Sequence, residues 1–107
     1  MTFYVKQNDT SPAMLATLQD ADGNAVDISG ASVRFHMRTI GGSAVKTDQA
    51  AVIVDAELGE VRYNWSASDT DTIGSYQAEF EVTYADASIE TFPNDGYIRV
   101  EIIDDIT

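Results

Sequence analysis

Apolar and polar residues alternate with a period of two along much of this chain. The run Tyr76-Gln77-Ala78-Glu79-Phe80-Glu81-Val82-Thr83-Tyr84 has an apolar side chain at every second position, the pattern of a strand with one buried and one wet face. Val33, Phe35 and Met37 alternate in the same way with Arg34, His36 and Arg38, and Val61, Tyr63 and Trp65 with Arg62, Asn64 and Ser66. Near the C-terminus Ile98, Val100 and Ile102 alternate with Arg99 and Glu101, and near the N-terminus Met14, Ala16 and Leu18 form a shorter row. Weaker strand patterns cover Phe3 to Lys6, Ala51 to Asp55 and Ser88 to Phe92. No window carries a helical stripe, although Ser66 to Thr72 has the Ser, Asp and Thr content of one short helical turn.

Turn residues punctuate these runs at Asp22-Gly23, Ser29-Gly30, Gly41-Gly42, Leu58-Gly59, Ile73-Gly74, Ala85-Asp86 and Asn94-Asp95-Gly96. Their spacing of about ten residues is the rhythm of a sandwich or small barrel. The pattern predicts one all-β domain over residues 1–107, an immunoglobulin-like antiparallel β-sandwich of seven to eight strands. Tyr76 stands two residues before the small Ala78, the position of the tyrosine corner in such domains, with Ala78 where antibody domains carry a cysteine. Tyr76, Trp65, Phe35 and Phe80 are therefore expected to be structural, and Tyr63 and Tyr84 share their inward phase.

Composition narrows the picture. With no cysteine, neither disulfides nor a thiolate metal site can hold the fold, so burial must. The N-terminus lacks a basic segment followed by an apolar run, and no stretch approaches the roughly 20 apolar residues that span a bilayer, so a soluble protein made in a cytoplasm is expected. Asn8-Asp9-Thr10 and Asn64-Trp65-Ser66 are then accidental matches to the glycosylation pattern. Six Lys and Arg against eighteen Asp and Glu give a net charge of −12, which repels nucleic acid and anionic membranes and argues against membrane insertion.

The chemistry-bearing residues are sparse. His36 is the only histidine, flanked by Arg34 and Arg38 on the polar face of its strand, and no nucleophile motif accompanies it. No catalytic residue and no enzymatic activity are expected. Asp20, Asp22 and Asn24 are weak calcium candidates, resembling the first half of a calcium loop. The twelfth position is Ala31, and an Asp-Gly hairpin turn accounts for the same residues without a metal, so no metal and no cofactor are expected. Asp69 and Asp71 are expected to cap a short helical turn or to line a solvated loop. Phe3, Tyr4, Phe92 and Tyr97 have no clear place in the core pattern and are candidate partner contacts.

Several segments in order are similar to one family. They are Gln7-Asn8-Asp9-Thr10-Ser11-Pro12, Asp20 to Asp27, Ser29 to Arg38, Gly59-Glu-Val-Arg-Tyr-Asn-Trp65, and Tyr76 to Tyr84 followed by Glu90-Thr-Phe-Pro93. Together they resemble the N-terminal immunoglobulin-like domain of tailed-phage baseplate upper proteins. The resemblance implies a virion tail or baseplate component, produced in a bacterial host, whose partners are other tail proteins and which has no catalytic residues to carry over. It also leaves open a homo-oligomer. A reading from another class is a host-surface carbohydrate-binding module.

Strand order in an immunoglobulin-like sandwich sets the last expectation. The strand of Val33 to Arg38 should lie beside that of Tyr76 to Tyr84, with the C-terminal strand on the far side. Arg34, His36 and Arg38 should then share an outer face with Gln77, Glu79 and Glu81, joined by Arg99. The cations are expected to gather around the two glutamates as one nearly neutral patch, the expected partner-binding face of an acidic molecule.

Overall fold

The computed structural model describes residues 2–106; Met1 and Thr107, the ends of the expected domain, lie outside the described residues. Nine strands are present among the described residues: β1 (Thr2–Lys6), β2 (Met14–Thr17), β3 (Ser32–Thr39), β4 (Val45–Ala50), β5 (Val52–Asp55), β6 (Glu60–Tyr63), β7 (Gly74–Thr83), β8 (Ile89–Phe92) and β9 (Ile98–Ile103). They form a six-stranded sheet in the order β1-β9-β7-β3-β4, with β8 also beside β7, and a three-stranded sheet in the order β2-β6-β5. This is the all-β sandwich that the alternation predicts, with two differences. β1 runs parallel to β9, so the pairing is not antiparallel throughout. The extra strand is β4, whose sequence Val-Lys-Thr-Asp-Gln-Ala buries only Thr47; an edge strand wet on both faces writes no alternation.

β8 and β9 share one lane beside β7. β8 pairs with Phe80 to Thr83 and β9 with Gly74 to Ala78. Pro93 has no N–H to offer a ladder, and the lane breaks there, so that residues 93–97 stand out as a bulge. Asn94 anchors it, its amide donating to Thr91 O at 2.9 Å and to Glu90 Oε2 at 3.1 Å.

The core lies between the sheets. Phe35, Phe80, Phe92, Met14, Ile28 and Val100 are fully buried. Phe35, central in the large sheet, stacks on Tyr63 of the small sheet with centroids 4.2 Å apart. Its ring also meets Trp65 at 5.5 Å and Phe80 at 5.3 Å, both edge-on, geometries that each add about 0.5–1.5 kcal/mol beyond area burial. β6 ends at Tyr63, short of the predicted Ser66, yet Trp65 keeps the inward phase and is 5% exposed. Gly59 marks the tightest backbone approach: its φ is +64°, and a Cβ there would meet Val26 O at 2.6 Å and Leu18 O at 2.8 Å, so only glycine fits.

Residues 67–69 form one turn, closed by Asp69 N donating to Ser66 O at 3.0 Å and capped by the Asp69 side chain, and residues 70–72 form a bend, with no helix assigned. Asp69 does not line a solvated loop; it is 4% exposed. Its carboxylate accepts from Thr47 Oγ1 at 2.9 Å, Tyr63 Oη at 2.6 Å and Ser66 N at 2.8 Å. Burial, reinforced by the Asp69 carboxylate, pushes the Tyr63 phenol well above its ordinary pKa and keeps it a donor. Two residues later Asp71 is exposed and binds Lys46 Nζ at 2.5 Å. Tyr76, 3% exposed, donates its hydroxyl to Thr72 O at 2.7 Å, which is the tyrosine-corner geometry.

Two stability measurements follow. Tyr76→Phe removes a single partly buried hydrogen bond and should lower unfolding free energy by about 1 kcal/mol or somewhat more; an unchanged urea midpoint would show that the corner bond carries no stability. Asp69→Ala strands two buried hydroxyls and an amide at once and should cost about 3–5 kcal/mol. Asp69→Asn should fall between, because one amide oxygen can still accept. Equal stabilities of the two Asp69 variants would contradict the carboxylate's role.

Candidate functional site

The outer face of the six-stranded sheet collects most of the chain's cations. Strand alternation dictates this: with Val33, Phe35 and Met37 turned into the core, Arg34, His36 and Arg38 must point out. Register then sets Arg34 opposite Glu81, His36 opposite Glu79, Arg38 opposite Gln77, and Gln77 opposite Arg99. On the flanks β4 contributes Asp48 opposite His36, and β1 contributes Tyr4 opposite Glu101 and Lys6 opposite Ile103.

The adjacency is as expected, but the ion pairs are not. Arg34 turns away from Glu81 and binds β4 twice, Nε to Asp48 Oδ1 at 2.8 Å and Nη2 to Asp48 O at 2.9 Å. His36 lies between two carboxylates, Nε2 3.2 Å from Asp48 Oδ1 and Nδ1 3.7 Å from Glu79 Oε1. With the Gln77 amide oriented to satisfy both groups, its oxygen accepts from Arg38 Nε at 2.5 Å and Nη2 at 2.9 Å. Arg99 Nε binds Glu101 Oε1 at 2.5 Å on its own strand, and Ser75 Oγ donates to the same carboxylate at 2.8 and 3.0 Å. The cations therefore do not gather around Glu79 and Glu81. The reach onto Asp48 gives Arg34 a backbone acceptor as well as a carboxylate.

These contacts leave a face with no net formal charge. Lys6, Arg34, Arg38 and Arg99 oppose Asp48, Glu79, Glu81 and Glu101 on its strands, so the chain's −12 is borne elsewhere. Arg34 holds the Asp48 carboxyl below its ordinary pKa, chiefly by hydrogen bonding, and Arg99 does the same for Glu101. A depression of about 370 Å³ opens at the centre, lined by His36, Arg38, Val45, Asp48, Glu79 and Tyr97.

The other sequence-predicted positions divide. Tyr4 on β1 and Tyr97 on the bulge are 64% and 44% exposed. Phe92 is buried, not exposed on the outer face: it is 2% exposed and sits opposite Phe80 on the inner face. Phe3 also turns inward, its ring 5.7 Å from Trp65. In both cases strand phase, invisible in so short a run, decides the direction. Asp20 spends one carboxylate oxygen on the amides of Asp22 and Asn24 at 2.9 and 3.0 Å, closing the turn on itself. Asp48 and Glu101 are charged residues of this face that the sequence reading does not include. Glu101 is legible, two residues from Arg99 on one strand face; Asp48 has no signal, because its strand has none.

A second concavity of about 660 Å³ lies between β2 and the bulge, over the open side of the sandwich. Leu15, Leu18, Phe92, Pro93 and Tyr97 contribute its apolar wall, and Asp20, Glu60 and Asp95 its polar rim.

The profile of the BppU N-terminal domain matches residues 2–93 of this chain. No curated protein matches it. Among solved structures it is similar to the N-terminal domain of ORF48 from phage TP901-1, with a TM-score of 0.63 and 15% identity over 98% of this chain and 85% of that one. At that identity the likeness is one of fold.

The paired carboxylates predict a pH signature. A depressed folded-state pKa adds stability that is present above the ordinary carboxylate value and lost as pH falls through the lower, folded value. Self-repulsion of the acidic chain also relaxes towards its isoelectric point near 4.1, so a difference is needed to isolate Asp48. The stability gap between wild type and Asp48→Asn should close as pH falls below the ordinary value of 3.8. A gap that persists or widens below that value would contradict the Arg34–Asp48 pairing.

Proposed function

This chain belongs to the BppU N-terminal domain family, a domain of the phage tail baseplate, and we propose that it acts as a non-enzymatic docking module through the outer face of its six-stranded sheet. Arg34, His36, Arg38 and Arg99, with Tyr4 and Tyr97 at the margins, are the contact residues in this reading. The observation that carries it is the charge partition: a face without net charge on a chain of −12. Any acidic partner, including an identical copy, meets less repulsion there than on the rest of the molecule. Its partners are then other tail or baseplate proteins in the virion, with self-association as a further option, after synthesis in the bacterial host.

The non-enzymatic reading rests on His36. Both ring nitrogens face carboxylates, and no hydroxyl hydrogen-bonds to the ring among the described residues, so the nucleophile-base pairing of covalent catalysis has no start here. A carbohydrate-binding module would want a platform of exposed rings. The well-exposed rings are Tyr4 and Tyr97, on separate elements, which favours protein docking.

Co-expression with the tail proteins of the same phage genome, followed by size-exclusion chromatography, tests the proposal. Wild type should co-elute with at least one of them, and Arg34→Glu/Arg38→Glu, checked for an intact fold by its near-ultraviolet spectrum, should not. Co-elution of both forms to the same extent would remove the outer face from the interface, and glycan-array binding lost on Tyr97→Ala would favour the sugar reading.

A further inference from the structure

The sandwich has several free strand edges, and they are not equally protected. β4 carries Lys46 and Asp48 and a register shift at Met37/Arg38. β5 carries Asp55 and a register shift beyond Ile53, β1 ends on Lys6, and β8 contains Glu90. Charges and bulges of this kind keep an edge from pairing with another chain. β2, Met14-Leu15-Ala16-Thr17, has neither charge nor bulge.

The phase of β2 fixes what its edge offers. Leu18 N donates to Gly59 O at 2.8 Å, so Leu18, Ala16 and Met14 direct their main-chain groups at β6. Leu15 and Thr17, in the opposite phase, direct theirs away from the sheet. That edge opens onto the 660 Å³ groove, where Leu15 is 64% exposed and Tyr97 44%. No Lys or Arg lines the groove, while Asp20, Glu60 and Asp95 do, and none of these carboxylates is in an ion pair among the described residues.

We propose that the β2 edge accepts an extended segment of a partner protein as an added strand. Its alternate apolar side chains would fill the groove and its flanking Lys or Arg residues would meet Asp20, Glu60 and Asp95. Main-chain bonds to Leu15 and Thr17 supply affinity, and the groove supplies selectivity for side chains. The acidic rim rules against a second copy as the occupant and selects a cationic segment instead. This inference deepens the reading of the chain as a docking module and rests on it, but uses a surface that has only Tyr97 in common with the outer sheet face.

The test is selection of a displayed library of random dodecapeptides on the folded chain. Enriched peptides should show apolar residues at every second position with Lys or Arg at the flanks. Synthetic versions should shift the backbone amide signals of Leu15, Thr17 and Tyr97. Thr17→Pro removes the outward amide while leaving the β6 side of the ladder intact; it should weaken binding by about tenfold, the scale of one lost hydrogen bond. Thr17→Val keeps the amide and should bind as wild type, and Asp95→Lys should weaken binding and its salt dependence together. Absence of enrichment, amide shifts mapping to another surface, equal binding by Thr17→Pro, or a glycan occupying the groove would each overturn the proposal. If tail proteins still co-elute through Arg34 and Arg38 while the peptides fail, only the β2 site falls.

Discussion

A single buried carboxylate organises one end of this sandwich. Asp69 takes donors from β4, from β6 and from its own turn, with no ion pair to it among the described residues. Removing a charge from water is costly, and it persists in a core when several hydrogen bonds replace the lost solvation. Three donors do so here. The connection from the small sheet to the large one is fixed as a consequence, and the residues that follow Asp69 extend the clamp. Thr70, fully buried, donates to Asp9 O at 2.9 Å, and its own carbonyl accepts from Asn8 N at 2.9 Å. Asp71 O accepts from Gln7 Nε2 at 2.9 Å and Thr72 O from Tyr76 Oη at 2.7 Å. Four consecutive residues thus hold the exit of β1, β4, β6 and the start of β7.

The clamp also sets the outer face. Thr47 points inward to Asp69, and alternation then forces Asp48 outward, to the side where Arg34 and His36 lie. Lys46 reaches Asp71 from the residue before, next to the register shift. A slip of β4 by one residue would bury Asp48 and expose Thr47, breaking the core network and the surface pairs together. Charge pairs on the wet face are individually weak, so their geometry is best understood as inherited from the buried network instead of as the force that holds the strand.

What the sequence made legible follows from these energetics. Strands with one dry face, β3, β7 and β9, announce themselves by alternation, and through phase they announce the shared face of Arg34, His36, Arg38 and Arg99. The tyrosine corner is legible because a small residue and a Gly bracket Tyr76. β4 is silent, since an edge strand that buries one threonine has little apolar signal, and with it go Asp48, Thr47 and the true partners of Arg34. Asp69 is misread for a related reason. A polar run, Ser66 to Thr72, looks solvated until the fold supplies Thr47 and Tyr63 from sequence-distant strands. Phe3 and Phe92 look available because runs of four or five residues do not fix their own phase.

The two surfaces differ in how a partner would be drawn to them. On the outer face the cations are largely engaged by Asp48, Gln77 and Glu101, so long-range attraction is small and shape must decide the fit. Around the β2 groove the rim carboxylates are unpaired, so a cationic segment is steered in and its arrival slows as salt rises. The break in the β8–β9 lane joins the two, because the bulge it creates places Tyr97 on the wall of both concavities. Partners at the two surfaces would therefore both border on Tyr97.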